Sequence, residues 1–110
     1  MGLLFKGGKF REAASDGNVE KVKEFLSNER DCEKYLNGRN IAGDSAILNA
    51  SINGHLNVVQ TLLEYKNIQI DNVDINGKTP LIGAVEKGHV DVVKLLLQHG
   101  ANVNATELDD

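Results

Sequence analysis

The chain has 110 residues, one cysteine, no tryptophan, 5% aromatic residues and a formal net charge of −4. This length fits one domain with an aliphatic core, and the mixed, mildly acidic charge argues against a nucleic-acid partner, which needs a clustered basic surface. A single cysteine excludes an intramolecular disulfide and favours an intracellular, cytoplasmic setting. No apolar run approaches the ~20 residues that cross a bilayer, so no membrane insertion is expected.

Three similar sequence segments recur along the chain, and they begin at Gly17, Gly54 and Gly88. They read GNVEKVKEFL, GHLNVVQTLL and GHVDVVKLLL, and their starts lie 37 and 34 residues apart. A period of this length predicts stacked supersecondary units. We therefore divide the single domain, residues 1–110, into a first unit at about 6–37, a second at about 38–72, a third at about 73–105 and a tail at 106–110.

The first unit has the pattern of two short helices separated by Gly17. Its inward positions are apolar, but Lys21 and Glu24 occupy the positions at which the third unit has Val92 and Leu95. A polar outer side allows a terminal repeat to face water, so we expect a capping unit. The inward positions are Phe10, Ala13, Ala14, Val22, Phe25 and Leu26, and Cys32 follows in a loop of different composition.

The second unit repeats this pattern with Ser45 before its first helix. A serine hydroxyl at that position accepts a hydrogen bond from a backbone N–H of the first turn. No glycine follows the second helix, and Asn67 is predicted to end it in the left-handed conformation, which asparagine tolerates. The buried side of this second helix carries Val58, Val59, Leu62 and Leu63.

The third unit is the most regular. A turn is predicted at residues 74–77, where Gly77 takes a positive φ. Thr79 caps the next helix, Pro80 occupies its first position, and Gly88 ends it. A second helix is predicted at about Val90 to Gln98, ended by Gly100. The buried sides of the two helices carry Leu81, Ala84, Val85, Val92, Val93, Leu96 and Leu97.

The helices of the third unit are shorter than the ~12–15 residues at which an isolated helix becomes marginally stable. Each apolar stripe must therefore be buried against a neighbouring unit, and about three units are needed for a stable array. The predicted fold is all-α: a solenoid of stacked helix-turn-helix units with β-turn or hairpin connections.

Chemically reactive side chains are scattered along the chain. His55 and His89 occupy the same position in two units, so the repeat itself explains them, and Cys32 has no metal ligands at close spacing. No pair of carboxylates is placed for acid–base work, and the serines occupy capping or packing positions. We expect no catalytic residue, no bound metal and no cofactor.

Residues 74–105 read DINGKTPLIGAVEKGHVDVVKLLLQHGANVNA, and this segment resembles one full ankyrin repeat. The second unit matches the same pattern well from Asn40 to Leu63, whereas the first unit matches only in its helices. Together the resemblance covers about residues 8–105. It implies an ankyrin-type solenoid whose first unit is a cap.

Departures from the family pattern occur at a few packing positions. Ile82 and Leu48 stand where the family has the histidine of its Thr-Pro-Leu-His motif, and Val85 and Ser51 replace its second alanine. These replacements imply softer packing between units than in an ideal array. Asn104 resembles the asparagines that are hydroxylated in this family, but the acidic residue usual two positions earlier is an asparagine here.

The resemblance implies a non-catalytic module that binds a protein partner through its turn tips and the concave face of its first helices. Two alternatives remain: an N-terminal recruiting segment of a longer enzyme, channel or effector, and a module that self-assembles through its C-terminal end. By position, the partner-binding residues are Ile41, Ala42, Asp44, Asn49 and Ile52 in the second unit, Ile75, Asn76, Lys78, Gly83, Glu86 and Lys87 in the third, and their counterparts Glu12, Ser15 and Asp16 in the first.

Three of these positions, Ile41, Ile52 and Ile75, are apolar although turn tips are usually polar. They predict a small hydrophobic hot spot with a charged rim. The alternative interpretation is that they are scattered surface residues, which are common.

The outward side of the third unit lacks the polar substitutions of the first. We therefore expect Ile82, Val92 or Leu95 to be exposed there. An apolar surface of this kind is seldom tolerated in a monomer and points to a longer array, a paired copy or a folded-back tail.

Overall fold

The computed structural model describes the backbone of residues 2–104 and the side chains of residues 7–104. In this part of the chain it contains seven helices and, besides an isolated bridge between Arg39 and Ser45, no strand. The helices are α1 (Gly2–Ser15), α2 (Val19–Leu26), α3 (Cys32–Asn37), α4 (Ala46–Ile52), α5 (Leu56–Leu63), α6 (Pro80–Lys87) and α7 (Val90–Gln98). None of these seven is long and apolar enough to cross a membrane.

The helices form two layers. The first helices of the units, α1, α4 and α6, lie side by side with α4 in the middle, and the second helices, α2, α5 and α7, pack behind them. Ala13, Ala50 and Ala84 occupy the same position in the three units and are all buried. A small side chain at this position lets neighbouring helices approach closely. The all-α solenoid predicted from the repeat is confirmed.

The caps predicted for α4 and α6 are confirmed. The backbone N–H of Leu48 donates to Ser45 Oγ at 3.2 Å, and that of Ile82 donates to Thr79 Oγ1 at 3.1 Å. Gly88 ends α6 in the left-handed region with φ of 74°. These local signals set where α4 and α6 begin and where α6 ends.

Narrow hairpins lead into α4 and α6. In the first, the N–H of Asn40 donates to the Asp44 carbonyl oxygen at 3.1 Å. In the second, the N–H of Asp74 donates to the Lys78 carbonyl oxygen at 3.1 Å. The two hairpins therefore have the same backbone pairing, as the repeat predicts.

The two hairpins are also bonded to each other. The N–H of Ile75 donates to the Ala42 carbonyl oxygen at 3.0 Å. Gly43 has φ of 81°, and a Cβ at this residue would lie 2.8 Å from Asp74 Cα. The close approach of the hairpins thus requires a glycine, both for its backbone conformation and for space.

The segment after α2 contains a helix, α3, where the sequence predicts a loop. It buries Tyr35, whose ring centroid lies 5.8 Å from that of Phe10 and 5.3 Å from that of Phe25. The expectation of an aliphatic core is therefore wrong in the first unit. A low aromatic percentage does not reveal that three of the few rings meet at one place.

The connection after α5 is held by side chains. No described non-glycine residue has a positive φ, so the left-handed conformation predicted for Asn67 is wrong. Instead Asn37 Nδ2 donates to the Asn67 carbonyl oxygen, and Asn37 Oδ1 accepts from the N–H of Gln69, both at 2.8 Å. The last residue of α3 thus fixes the loop that follows α5.

The exposed apolar residues of the third unit differ from those predicted. Val92 is buried, and Ile82 and Leu95 are half-buried. Val85 and Leu97, which the helical pattern places inward, are instead 58% and 41% exposed.

This error has a geometric cause. Each unit has two opposite sides, one toward the preceding unit and one toward the following unit. Lys21 occupies the side that faces out at the start of the array, but its counterpart Val92 faces the second unit and is buried there. Among the described residues, the uncovered side of the third unit is the other one, which carries Val85 and Leu97.

Candidate protein-binding surface

The candidate surface combines the hairpin tips with the outer sides of α1, α4 and α6. At the tips, Ile41 is fully exposed and Ile75 is 67% exposed. Both line an open groove of about 540 Å³ together with Arg39 and Val73. Because a backbone hydrogen bond joins the two hairpins, the two isoleucines are held on one connected surface.

Sequence reasoning missed two residues of this groove. Arg39 Nη1 donates to the Val73 carbonyl oxygen at 3.4 Å, which links one hairpin to the next. Both residues precede the first turn residue of their unit, Asn40 and Asp74 respectively. The shared repeat position was the signal that could have found them.

Two predicted surface residues belong to the contact between units. Ile52 is half-buried, and a Cβ on Gly83 would lie 2.6 Å from Ile52 Cγ1. Gly83 itself is buried, so its prediction as a surface position is wrong. The absence of a side chain at Gly83 makes room for Ile52 between α4 and α6. Of the three tip isoleucines, only Ile41 and Ile75 are left well exposed.

The remaining predicted positions form a mixed polar border. Lys78 Nζ lies 2.6 Å from Glu86 Oε1, which connects the second hairpin to α6. Both side chains are partly exposed, so the ion pair contributes little to stability. Of the others, Asn76, Lys87, Glu12 and Asp16 are exposed, and Ala42, Asp44, Asn49 and Ser15 are half-buried.

Two histidines hold the units together behind this surface. His55 Nε2–H donates to the Ser15 carbonyl oxygen at 2.8 Å, and His89 Nε2–H donates to that of Ile52 at 2.9 Å. Each ring also covers a glycine, since a Cβ on Gly17 or Gly54 would lie 2.6 Å from it. These contacts confirm that the repeat architecture explains both histidines.

Possible metal ligands and titratable side chains were compared among the described residues. They contain no group of three or more His, Cys, Asp or Glu side chains placed to hold a metal ion. Burial, and to a smaller extent Glu33, raises the pKa of the Cys32 thiol. Burial is also the main cause of the raised pKa of Tyr65. A raised pKa keeps the thiol protonated and weakly nucleophilic at neutral pH.

Comparison with known families supports the same architecture. The family model described as ankyrin repeats, in three copies, matches residues 10–107. That range covers both helices of the second and third units and α2 completely, and α1 from residue 10 onward. A comparison with curated proteins gives no match.

Proposed function

This chain belongs to the ankyrin-repeat family, and we propose that it is a non-catalytic module that binds a protein partner through its hairpin tips and first-helix layer. Ankyrin repeats generally mediate protein–protein interaction. The finer assignment, to these tips and this layer, rests on the surface described above.

The observation that carries the proposal is the pair of exposed isoleucines on bonded tips. Burying an Ile41 or Ile75 side chain against a partner stabilises a complex by about 1.5–3 kcal/mol each. Hot spots of this kind are surrounded by contacts that mainly exclude water. Arg39 and the Lys78–Glu86 pair supply such a border. The surface therefore fits a partner with apolar side chains flanked by polar groups.

The charge distribution favours a protein over a nucleic acid. The net charge is −4, and Lys78, the cation at the second hairpin, is paired with Glu86. A nucleic-acid surface would need cations clustered without interspersed acids. We also infer an intracellular setting from the single cysteine, Cys32, which leaves no intramolecular disulfide.

The test compares two matched double variants. Ile41→Ser with Ile75→Ser removes the apolar tips, and Val90→Ser with Val103→Ser removes two exposed apolar side chains elsewhere. Quantitative mass spectrometry would measure which proteins each immobilised chain retains, after circular dichroism has shown unchanged helix content. For the proteins that the wild type and the control retain, we expect the amount bound to the tip variant to be lower by about tenfold or more.

Retention of all partners by the tip variant would contradict the proposal, and equal loss by the control would place binding on another surface. Ile52 is left unchanged in this design. Its replacement would disturb packing on Gly83 and confuse binding with stability.

A further inference from the structure

Asparagine is followed by glycine at three places in the chain: Asn37-Gly38, Asn53-Gly54 and Asn76-Gly77. In such a pair the backbone nitrogen of the glycine can attack the side-chain amide carbon of the asparagine, because glycine has no Cβ to hinder the approach. The reaction needs an asparagine side chain that is free to turn toward its own backbone. Each pair also follows a leucine or an isoleucine, so nearly the same local sequence stands in three different surroundings.

Two of the three asparagine side chains are held by hydrogen bonds. Asn37 Nδ2 donates to the Asn67 carbonyl oxygen, and Asn37 Oδ1 accepts from the N–H of Gln69, both at 2.8 Å. Asn53 Nδ2 donates to the carbonyl oxygen and to Oγ of Ser15, both at 3.0 Å. Ring closure at either asparagine must first break these bonds, which join the first unit to the second.

The third asparagine, Asn76, is exposed at the tip of the second hairpin. Its backbone N–H donates to Asp74 Oδ1 at 2.9 Å, but its side chain has no hydrogen-bond partner among the described residues. The side chain can therefore change rotamer without breaking a contact of the fold. This pair lies beside Ile75, within the candidate protein-binding surface.

The attacking nitrogens do not favour Asn76. The N–H groups of Gly38, Gly54 and Gly77 each donate to the carbonyl oxygen of the residue three positions earlier, at 3.3, 3.2 and 3.0 Å respectively. The bond is shortest at Gly77. A faster reaction at Asn76 must therefore come from the asparagine and not from the glycine.

We propose that Asn76 is a site of spontaneous deamidation, which converts a neutral hairpin tip into an acidic one, and that the fold protects Asn37 and Asn53. The Gly77 nitrogen forms a bond to Asn76 Cγ and loses its proton, the Cγ–Nδ2 bond breaks, and ammonia leaves with that proton. Water then opens the cyclic imide at one of its two carbonyl groups and gives aspartate or isoaspartate. Overall, an amide and a water molecule become a carboxylate and an ammonium ion.

The new carboxylate would stand next to Ile75 and two residues from Asp74, which both line the groove at the tips. A partner that buries Ile75 would have to desolvate this charge, which is costly. We therefore expect binding at the tips to weaken as the protein ages. This consequence rests on the proposed function, whereas the modification itself does not.

The chemical test follows the natural chain over days at physiological temperature, in buffer and in urea. Peptide mass spectrometry measures the rate of deamidation at each of the three pairs. In urea the three surroundings are lost, and the rates should be similar. In the folded chain we expect Asn76 to react about tenfold or more faster than Asn37 and Asn53, because no contact between units has to break. Similar rates at the three pairs in the folded chain, or a slower reaction at Asn76, would overturn the proposal.

A second experiment tests the consequence for binding. Asn76→Asp introduces the charge of the product directly, and Asn57→Asp adds the same charge at an exposed position of α5, in the other layer of helices. For the proteins that the wild type and Asn57→Asp retain, we expect the amount bound to Asn76→Asp to be lower by about threefold or more.

The outcomes of the two experiments are distinguishable. If the double isoleucine variant loses partners and Asn76→Asp does not, the expected effect of deamidation on binding is wrong. If neither variant loses partners, the proposed function is contradicted, and the deamidation rates alone decide whether Asn76 is a modification site.

Discussion

The first and third units share one helix-turn-helix plan but differ on the sides that point away from the second unit. The first extends its leading helix to 14 residues, adds α3 and packs Phe10, Phe25 and Tyr35 together. Its outer side carries Lys21 and Glu24, which are both exposed. The third has an eight-residue α6, no added helix among the described residues, and an apolar open side.

The difference shows that the repeated segment specifies a helix pair. A few positions on the sides that face neighbouring units specify what the pair packs against. Ala14, Ser51 and Val85 demonstrate this most clearly. They occupy one position, and the exposed fraction follows the presence of a neighbour more than the polarity of the side chain. The buried serine and exposed valine are the reverse of what polarity alone predicts.

The largest expected effect comes from the core position shared by the two end units. Phe10 is fully buried in an aromatic cluster, and its counterpart Leu81 is 9% exposed. We expect Phe10→Ala to cost about 3–5 kcal/mol, and Leu81→Ala a smaller amount, about 2–3 kcal/mol, because the third unit can relax at its open side. Urea unfolding followed by circular dichroism measures both losses. A larger cost at Leu81 would mean that the third unit is the better packed end.

An intermediate effect is expected at the junctions between units. We expect His89→Ala to cost about 1–2 kcal/mol, because it removes the hydrogen bond to Ile52 and the ring over Gly54. His55→Ala should cost less, since Asn53 Nδ2 still donates to the Ser15 carbonyl oxygen at 3.0 Å. The free energy of unfolding in urea is the measurement.

His99→Ala serves as the control for the two histidine variants, because His99 is exposed at the end of α7. Equal losses from His55→Ala and His89→Ala would show that Asn53 does not compensate at the first junction. The two junctions would then be equivalent despite their different side chains.

The smallest expected effect has the opposite sign. Ser51 Oγ is buried and has no hydrogen-bond partner among the described residues. Ser51→Ala should raise the free energy of unfolding by about 1 kcal/mol, because the desolvation penalty of the hydroxyl is removed. Val85→Ala, at the same position on the open side, should change it by less than about 0.5 kcal/mol. A destabilised Ser51→Ala would imply a hydrogen bond that the static structure does not show.

Local signals in the sequence predicted much of the fold. Thr79, Pro80 and Gly88 act through their own backbone neighbours, and each does what its chemistry predicts. The candidate site was predictable to the level of the exposed tips, because Ile41 and Ile75 lie in turns whose position the repeat defines. Arg39 was not predicted as part of the groove because its partner, Val73, lies 34 residues away along the chain.

The predictions that failed depended on neighbours in space. Asn67 was assigned a backbone conformation from its residue type, but contacts from Asn37 set the loop. Gly83 was assigned to the surface from its repeat position, but the side chain of Ile52 fills the space beside it. In both cases the contact that decided the outcome joins residues about 30 positions apart along the chain.

By itself the sequence determined the helix pairs, their number and the caps of α4 and α6, because hydrogen bonds and apolar spacing within about ten residues control these features. Only the tertiary structure decided which side of each unit is buried, where the aromatic rings meet and which isoleucines remain exposed. Burial depends on what lies opposite a side chain. In an array, the same repeat position contacts a neighbouring unit in one repeat and solvent in another.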